Sequence, residues 1–307
     1  MTTRFQLLLD GSKYADVAAM HAIQLANRYD AKIVPTEVID TRWFNTPNAI
    51  ENAKIILKQS LERIDIVASD MGVVIEDART VIANPTKDIL KETNSIKPSV
   101  LITGVKGNTA PGLGFNGFAG KLLNLTKCNV LLVRDWMANN GKYNNILVST
   151  NSIGDVSNFA AGFAEKYNAS LTACHCVDME QSMSEERIVY LPEAGSSRNG
   201  DRPMLGERVK TSPTLLHRMK QRSIERGYAV ANSVADVARE HGVEATAMVR
   251  TGKTFSEIPK LTAEQPFDLM IMEQKHRNAI SRLIQGTPAE QLARLVPCSV
   301  FAVKKTV

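Results

Sequence analysis

Gly104, Gly107 and Gly117 stand with the spacing G-x2-G-x9-G directly after the apolar run Ser99-Val-Leu-Ile-Thr103. A missing side chain lets backbone N–H groups approach an anion and permits backbone angles that other residues resist. The carboxyl end of a strand that feeds a helix is where open α/β sheets bind phosphate-bearing ligands. A weaker copy follows the run Asp268-Leu-Met-Ile-Met272, with Glu273 and His276 in place of the first two glycines and Gly286-Thr287 later. One such stretch suggests a site; two suggest a duplicated domain. Glycines at this spacing also suit a plain strand-to-loop turn, so the surrounding elements decide the reading.

Other chemistry-bearing residues are less well placed. Thr251-Gly-Lys-Thr254 has the ending of a phosphate-binding P-loop, but Ala247 stands where that motif needs its first glycine, and a helix entry is the expected role. Cys174-His175-Cys176 places two soft ligands around an imidazole. On an alternating strand, however, both cysteines face one way and the histidine the other, and paired zinc cysteines stand further apart. No metal site is expected there. Ser12 lacks a nucleophile-elbow context, and neither paired carboxylates nor His-Glu-x-x-His occurs, so no catalytic residue is assigned. His21 and His217 read as helix-face residues.

The elements that would position these residues alternate. Phe5-Gln-Leu-Leu-Leu9 reads as a strand, Asp10-Gly-Ser12 as a turn, and the alanines at 15, 18, 19, 22 and 26 as a helix. Residues 31–39 form a second strand with Pro35 at its middle; 48–69 have helical apolar spacing, 73–82 a third strand, and Asn84-Pro85 opens another helix. The opening stretch then supplies strand four and Val130-Leu-Leu-Val133 strand five. The pattern restarts at Ile146. Two β-α-β-α-β-α-β-α-β arrays are therefore predicted, at 1–137 and 144–307 with a polar linker at 138–143. Each is an α/β unit with a five-stranded, mostly parallel sheet and helices on both faces. An extra excursion covers about 179–213, and a helix resumes from Leu215 to His241.

At 307 residues with 44% apolar content, two cores are affordable. The net charge of +5 is spread along the chain and only 6% of residues are aromatic, which argues against a nucleic-acid surface. No run approaches the roughly 18 apolar residues of a membrane span, and the N-terminus lacks a signal peptide's apolar region. A cytoplasmic protein is expected, with Cys128, Cys174, Cys176 and Cys298 as free, buried thiols.

Together, the tandem arrangement, the Asp10-Gly-Ser12 turn after strand one and G-x2-G-x9-G after strand four resemble the universal stress protein family. The resemblance covers nearly the whole chain twice, apart from the excursion. It implies Rossmann-like domains similar to adenine-nucleotide hydrolases, whose glycine loop and a following Ser or Thr hold the phosphates of ATP, with Mg. The aspartate after strand one contacts the nucleoside. Carried over, it assigns Asp10, Gly104, Gly107 and Gly117 to the first half, where Phe118 replaces the hydroxyl residue and Thr109 or Asn116 would substitute as donors. The second half retains Gly286 and Thr287 as weaker candidates, with Asn151 in the aspartate's place and a first helix shorter by about one turn. That second site is expected to be degenerate. The resemblance further implies pairing of the two closing strands into an internal pseudo-dimer, with further homodimerisation open. The expected role is nucleotide-responsive regulation in a stress response, not strong catalysis. An interaction scaffold with two decayed sites and a weak adenylate-type hydrolase are the alternatives.

Overall fold

The structure, a computed structural model, describes residues 3–83, 85–105, 119–134, 140–150, 154–179, 213–274 and 288–304. In the first half, β1 (Arg4–Leu9), α1 (Lys13–Tyr29), β2 (Lys32–Asp40), α2 (Pro47–Asp70), β3 (Arg79–Ala83), α3 (Pro85–Ile96), β4 (Val100–Gly104), α4 (Ala119–Leu125) and β5 (Asn129–Val133) follow one another. In the second come β6 (Asn145–Ser149), α5 (Asp155–Tyr167), β7 (Ser170–Val177), α6 (Pro213–Glu240), β8 (Ala245–Thr251), α7 (Thr254–Glu264), β9 (Leu269–Gln274), α8 (Pro288–Leu295) and β10 (Ser299–Lys304). The excursion at 179–213, apart from its two end residues, and the first two linker residues, 138 and 139, lie outside the described residues.

Among the described residues, ten strands form one sheet in the order β3-β2-β1-β4-β5-β10-β9-β6-β7-β8. Among the described residues each half is parallel throughout, and the only antiparallel pair is β5 with β10, where Leu131 faces Phe301. The expected pairing of the closing strands is thus present. It also turns the carboxyl ends of the two half-sheets toward opposite edges of the whole.

Strand side chains alternate between two cores, as a sheet covered on both faces requires. Leu7, Ile102, Leu131, Val148 and Ile271 pack under α1, α2, α5 and α6, whereas Leu8, Leu101, Leu132, Leu147 and Met270 pack under α3, α4, α7 and α8. The alanines of α1 let it lie close on the sheet; Ala18, Ala19 and Ala22 are fully buried. As expected, the first helix of the second repeat is the shorter: α5 has 13 residues against the 17 of α1.

Strand three departs from expectation. The predicted run 73–82 reduces to β3 at Arg79–Ala83, preceded by a single bridge between Ile33 and Ile75. Ile33 exchanges hydrogen bonds with Val74 and Glu76 on that side of β2. Two residues on, Pro35 faces the same way with no N–H to give, so the ladder lapses and resumes at Thr36 opposite Arg79. Strand β2 itself runs through Pro35, which pairs in register with Leu7 on its other side.

Aromatic residues from both halves meet above the seam. Phe163 stacks on Tyr167 with ring centres 4.7 Å apart, and lies 5.7 Å from Tyr143, 5.6 Å from Phe301 and 6.4 Å from Tyr29. The Arg28 guanidinium sits over the Tyr167 ring, and reciprocally the Lys166 ammonium sits over Tyr29. His21, expected on a helix face, is buried there and its Nδ1 shares a hydrogen bond of 2.7 Å with the Tyr143 hydroxyl.

This cluster fixes an alkaline limit. Burial pushes Tyr29 up to about 12 from its ordinary value near 10, and pushes Tyr143 and Tyr167 in the same direction. Burial likewise raises Cys128 to about 11 and Cys298 to about 12, from near 9. The unfolded chain therefore loses these protons first as pH rises. Their contribution is intact below about 9, the ordinary thiol value, and is lost as pH climbs through the native values of 11 to 12. The melting midpoint is expected to fall steadily above pH 9 in parallel with tyrosinate absorbance; a midpoint level to pH 11 would contradict it.

Candidate nucleotide site

The first half reverses strand order between β1 and β4: β2 and β3 continue to one side, β4 and β5 to the other. Ligands of open α/β sheets enter at this kind of crevice. Phe5 pairs with Val100 and Leu7 with Ile102, so Asp10 and Gly104 leave the sheet together at its carboxyl edge. Two of the predicted first-half residues are thereby brought together by the fold.

Asp10 opens a compact turn. Its Oδ1 accepts the Ser12 N–H at 3.1 Å, Gly11 takes φ +73°, and Ser12 caps α1 by accepting the Ala15 N–H at 3.2 Å. The positive end of α1 therefore starts at the crevice, with Lys13 as its first residue. Ile56 of α2 comes down over the turn, its Cγ2 3.1 Å from where a Gly11 Cβ would be.

Gly104 is the last residue of β4 and pairs with Val133. A Cβ there would lie 2.8 Å from the Tyr14 carbonyl oxygen and 2.9 Å from its carbonyl carbon. The first turn of α1 thus crosses the strand end at backbone contact distance, which only glycine permits. Gly107, Gly117, Phe118, Thr109 and Asn116 lie outside the described residues.

One feature of this edge escaped the sequence reading. Asp40, at the end of β2, is buried to 7% exposure and accepts hydrogen bonds from the Arg42 backbone N–H and from its Nε, at 3.0 and 2.9 Å. The Asp40 carbonyl accepts the N–H groups of Trp43 and Phe44, so one carboxylate folds a turn that presents Trp43 at the rim. Asp-x-Arg after a strand was the available signal. It is too common a sequence to stand out.

In the second half β6 and β9 make the equivalent crevice. Glu273 pairs with Val303 as Gly104 pairs with Val133, so a half-buried carboxylate occupies the position of the backbone-tight glycine. A phosphate would meet like charge there, and side-chain bulk in place of open backbone. Helix α5 begins behind Gly154 with no side-chain cap, unlike the Ser12 cap of α1. Asn151, His276, Gly286 and Thr287 lie outside the described residues.

The remaining motifs have structural places. Thr251-Gly-Lys-Thr254 joins β8 to α7, with the Gly252 N–H bonded to the Val177 carbonyl at 2.9 Å. Cys174 and Cys176 face the core below α7, while His175 Nδ1 lies 2.9 Å from the Thr150 carbonyl oxygen. Among the described residues no three metal-ligating side chains cluster, and no helix is long and apolar enough to cross a membrane.

Comparison with solved structures finds the same architecture elsewhere. A universal stress protein from Archaeoglobus fulgidus DSM 4304 is 15% identical with a TM-score of 0.65, the match covering 98% of this chain and 96% of that one. A functionally unknown protein from Pseudomonas aeruginosa PAO1 is 12% identical with a TM-score of 0.60, covering 99% of this chain and 92% of its own. At such identities these similarities speak for the fold. A comparison with curated proteins finds no significant match. The sequence model of the universal stress protein family matches residues 1–134 and again 142–304. With both repeats matched and both carrying the reversed strand order about their crevices, the chain belongs to the universal stress protein family as a tandem member.

Proposed function

We propose that this protein is a nucleotide-responsive regulator that holds ATP or a related adenine nucleotide, with Mg, in its first half and does little chemistry on it. The observation that carries the reading is the Gly104 end of β4: a backbone cradle with no room for a Cβ, beside Asp10 and the start of α1. Asp10 would meet the nucleoside, and the backbone from Gly104 through Gly107 to Gly117 the phosphates. A bound nucleotide would supply charge and bulk at this edge, favouring one arrangement of the surface offered to protein partners. The second half, with Glu273 at the equivalent position, supports a structural or interaction role instead.

Isothermal titration of ATP, with and without Mg, into wild type and Gly107→Glu tests this. Wild type is expected to give binding heat and the variant none. Absence of heat in both would overturn the nucleotide reading and leave the scaffold alternative.

A further inference from the structure

The central strand pair defines an approximate two-fold axis through Leu131 and Phe301, because such an axis exchanges Leu132–Val300 with Val130–Ala302. Val133 is then equivalent to Val303, in agreement with their partners Gly104 and Glu273. Counting back along the two closing segments makes Asn129 equivalent to Ser299, Leu123 to Ala293 and Gly120 to Glu290.

The hydrogen bonds of the seam follow this symmetry. The Arg134 N–H donates to Ser299 Oγ at 3.2 Å, and its equivalent, the Lys304 N–H, donates to Asn129 Oδ1 at 2.9 Å. The Arg134 guanidinium donates to the Ala293 carbonyl near the end of α8, and the Lys304 ammonium to the Leu123 carbonyl near the end of α4. Each half thus places a cation at the negative end of the other's last helix. Either half could make these bonds with a copy of itself.

Gly120 and Glu290 break the symmetry. They are equivalent positions that meet, and a Cβ on Gly120 would stand 2.6 Å from Glu290 Oε1 and 3.1 Å from its Cγ. Glu290 Oε2 accepts from Asn124 Nδ2 at 2.8 Å, and Asn124 Oδ1 accepts from Gln274 Nε2 at 3.2 Å. One long acidic side chain fills a space that exists because its symmetry mate has none.

We propose that the seam is a heterotypic lock, in which Glu290 requires a glycine opposite it, so that the second half accepts the first half of the chain and refuses a copy of itself. Two second halves brought together would force two carboxylates into one space and set Phe301 against Phe301, combining repulsion with overpacking. Two first halves would leave a void between paired glycines, with Leu131 against Leu131 and no carboxylate for Asn124. Discrimination by a built-in clash is how specific pairing is ordinarily secured. The seam therefore closes within one chain, and copies do not assemble through their central strands.

The test uses the full chain, with melting midpoint and light-scattering mass as readouts. Gly120→Glu is expected to lower the midpoint by about 5 °C or more, as overpacking beside a like charge does. The reciprocal double variant Gly120→Glu with Glu290→Gly restores one carboxylate opposite one glycine, and is expected to recover more than half of that fall as a monomer. An unchanged midpoint in Gly120→Glu, or a double variant no more stable than the single, overturns the proposal. Should the single variant prove insoluble, a soluble, monomeric double variant supports the lock and an insoluble one overturns it.

Discussion

Gly104→Ala is expected to abolish adenine-nucleotide binding and to cost about 1–3 kcal/mol of stability, the range for a methyl group forced into a filled space. The added Cβ would face the Tyr14 backbone at 2.8 Å, so relief requires moving the first turn of α1 away from β4 and cannot come from a side-chain rotation. That displacement would carry the Ser12 cap and the Asp10 turn with it, since both belong to the same few residues. Titration of ATP below the lowered melting midpoint, paired with denaturant unfolding, separates the two effects. Binding and stability both at wild-type levels would show that α1 is not clamped on the strand end. Gly107→Glu acts differently, by adding charge in the loop itself, so the two variants probe the cradle and its support separately.

Phe163→Ala carries the largest expected loss of stability, about 3–5 kcal/mol, as for other fully buried aromatic residues truncated to alanine. Its ring is completely buried and contacts Tyr167 face to face at 4.7 Å, while Tyr143, Phe159, Phe301 and Tyr29 surround it. Tyr29 belongs to the first half and Phe301 to the seam strand, so the cavity would weaken both the second core and the contact between halves. Urea unfolding followed by circular dichroism measures this. A loss below about 1 kcal/mol would mean that the neighbouring rings collapse into the space.

The strands and helices were readable, because continuous apolar runs and helical spacing record burial in the sequence itself. Pairing within a sheet is not recorded in that way. The lapse of the β2–β3 ladder at Pro35 shows the difference: a proline in a strand signals a missing donor, but which neighbour lacks it depends on which way that residue's N–H points. The site divides similarly. Asp10 and Gly104 were legible as turn residues after apolar runs, and the family resemblance assigned them to a site; the Asp40–Arg42 turn was not legible, because an acid and a base two residues apart are unremarkable until the carboxylate is seen to be buried.

The sequence by itself determined that there are two α/β repeats, that the first keeps the glycines and the second Thr287, and that the paired thiols and His175 face opposite sides of one strand. Those follow from local periodicity, backbone freedom and side-chain alternation, which act within a few residues. Tertiary structure alone decided three things. It brought the Tyr14 carbonyl against Gly104, placed Glu290 over Gly120, and set Leu131 opposite Phe301 in the strand pairing that the family resemblance implied. In each case the partners are distant in sequence or related by an axis that no single segment contains. Gly120 looks like any glycine near a helix start until the other half of the chain is folded against it.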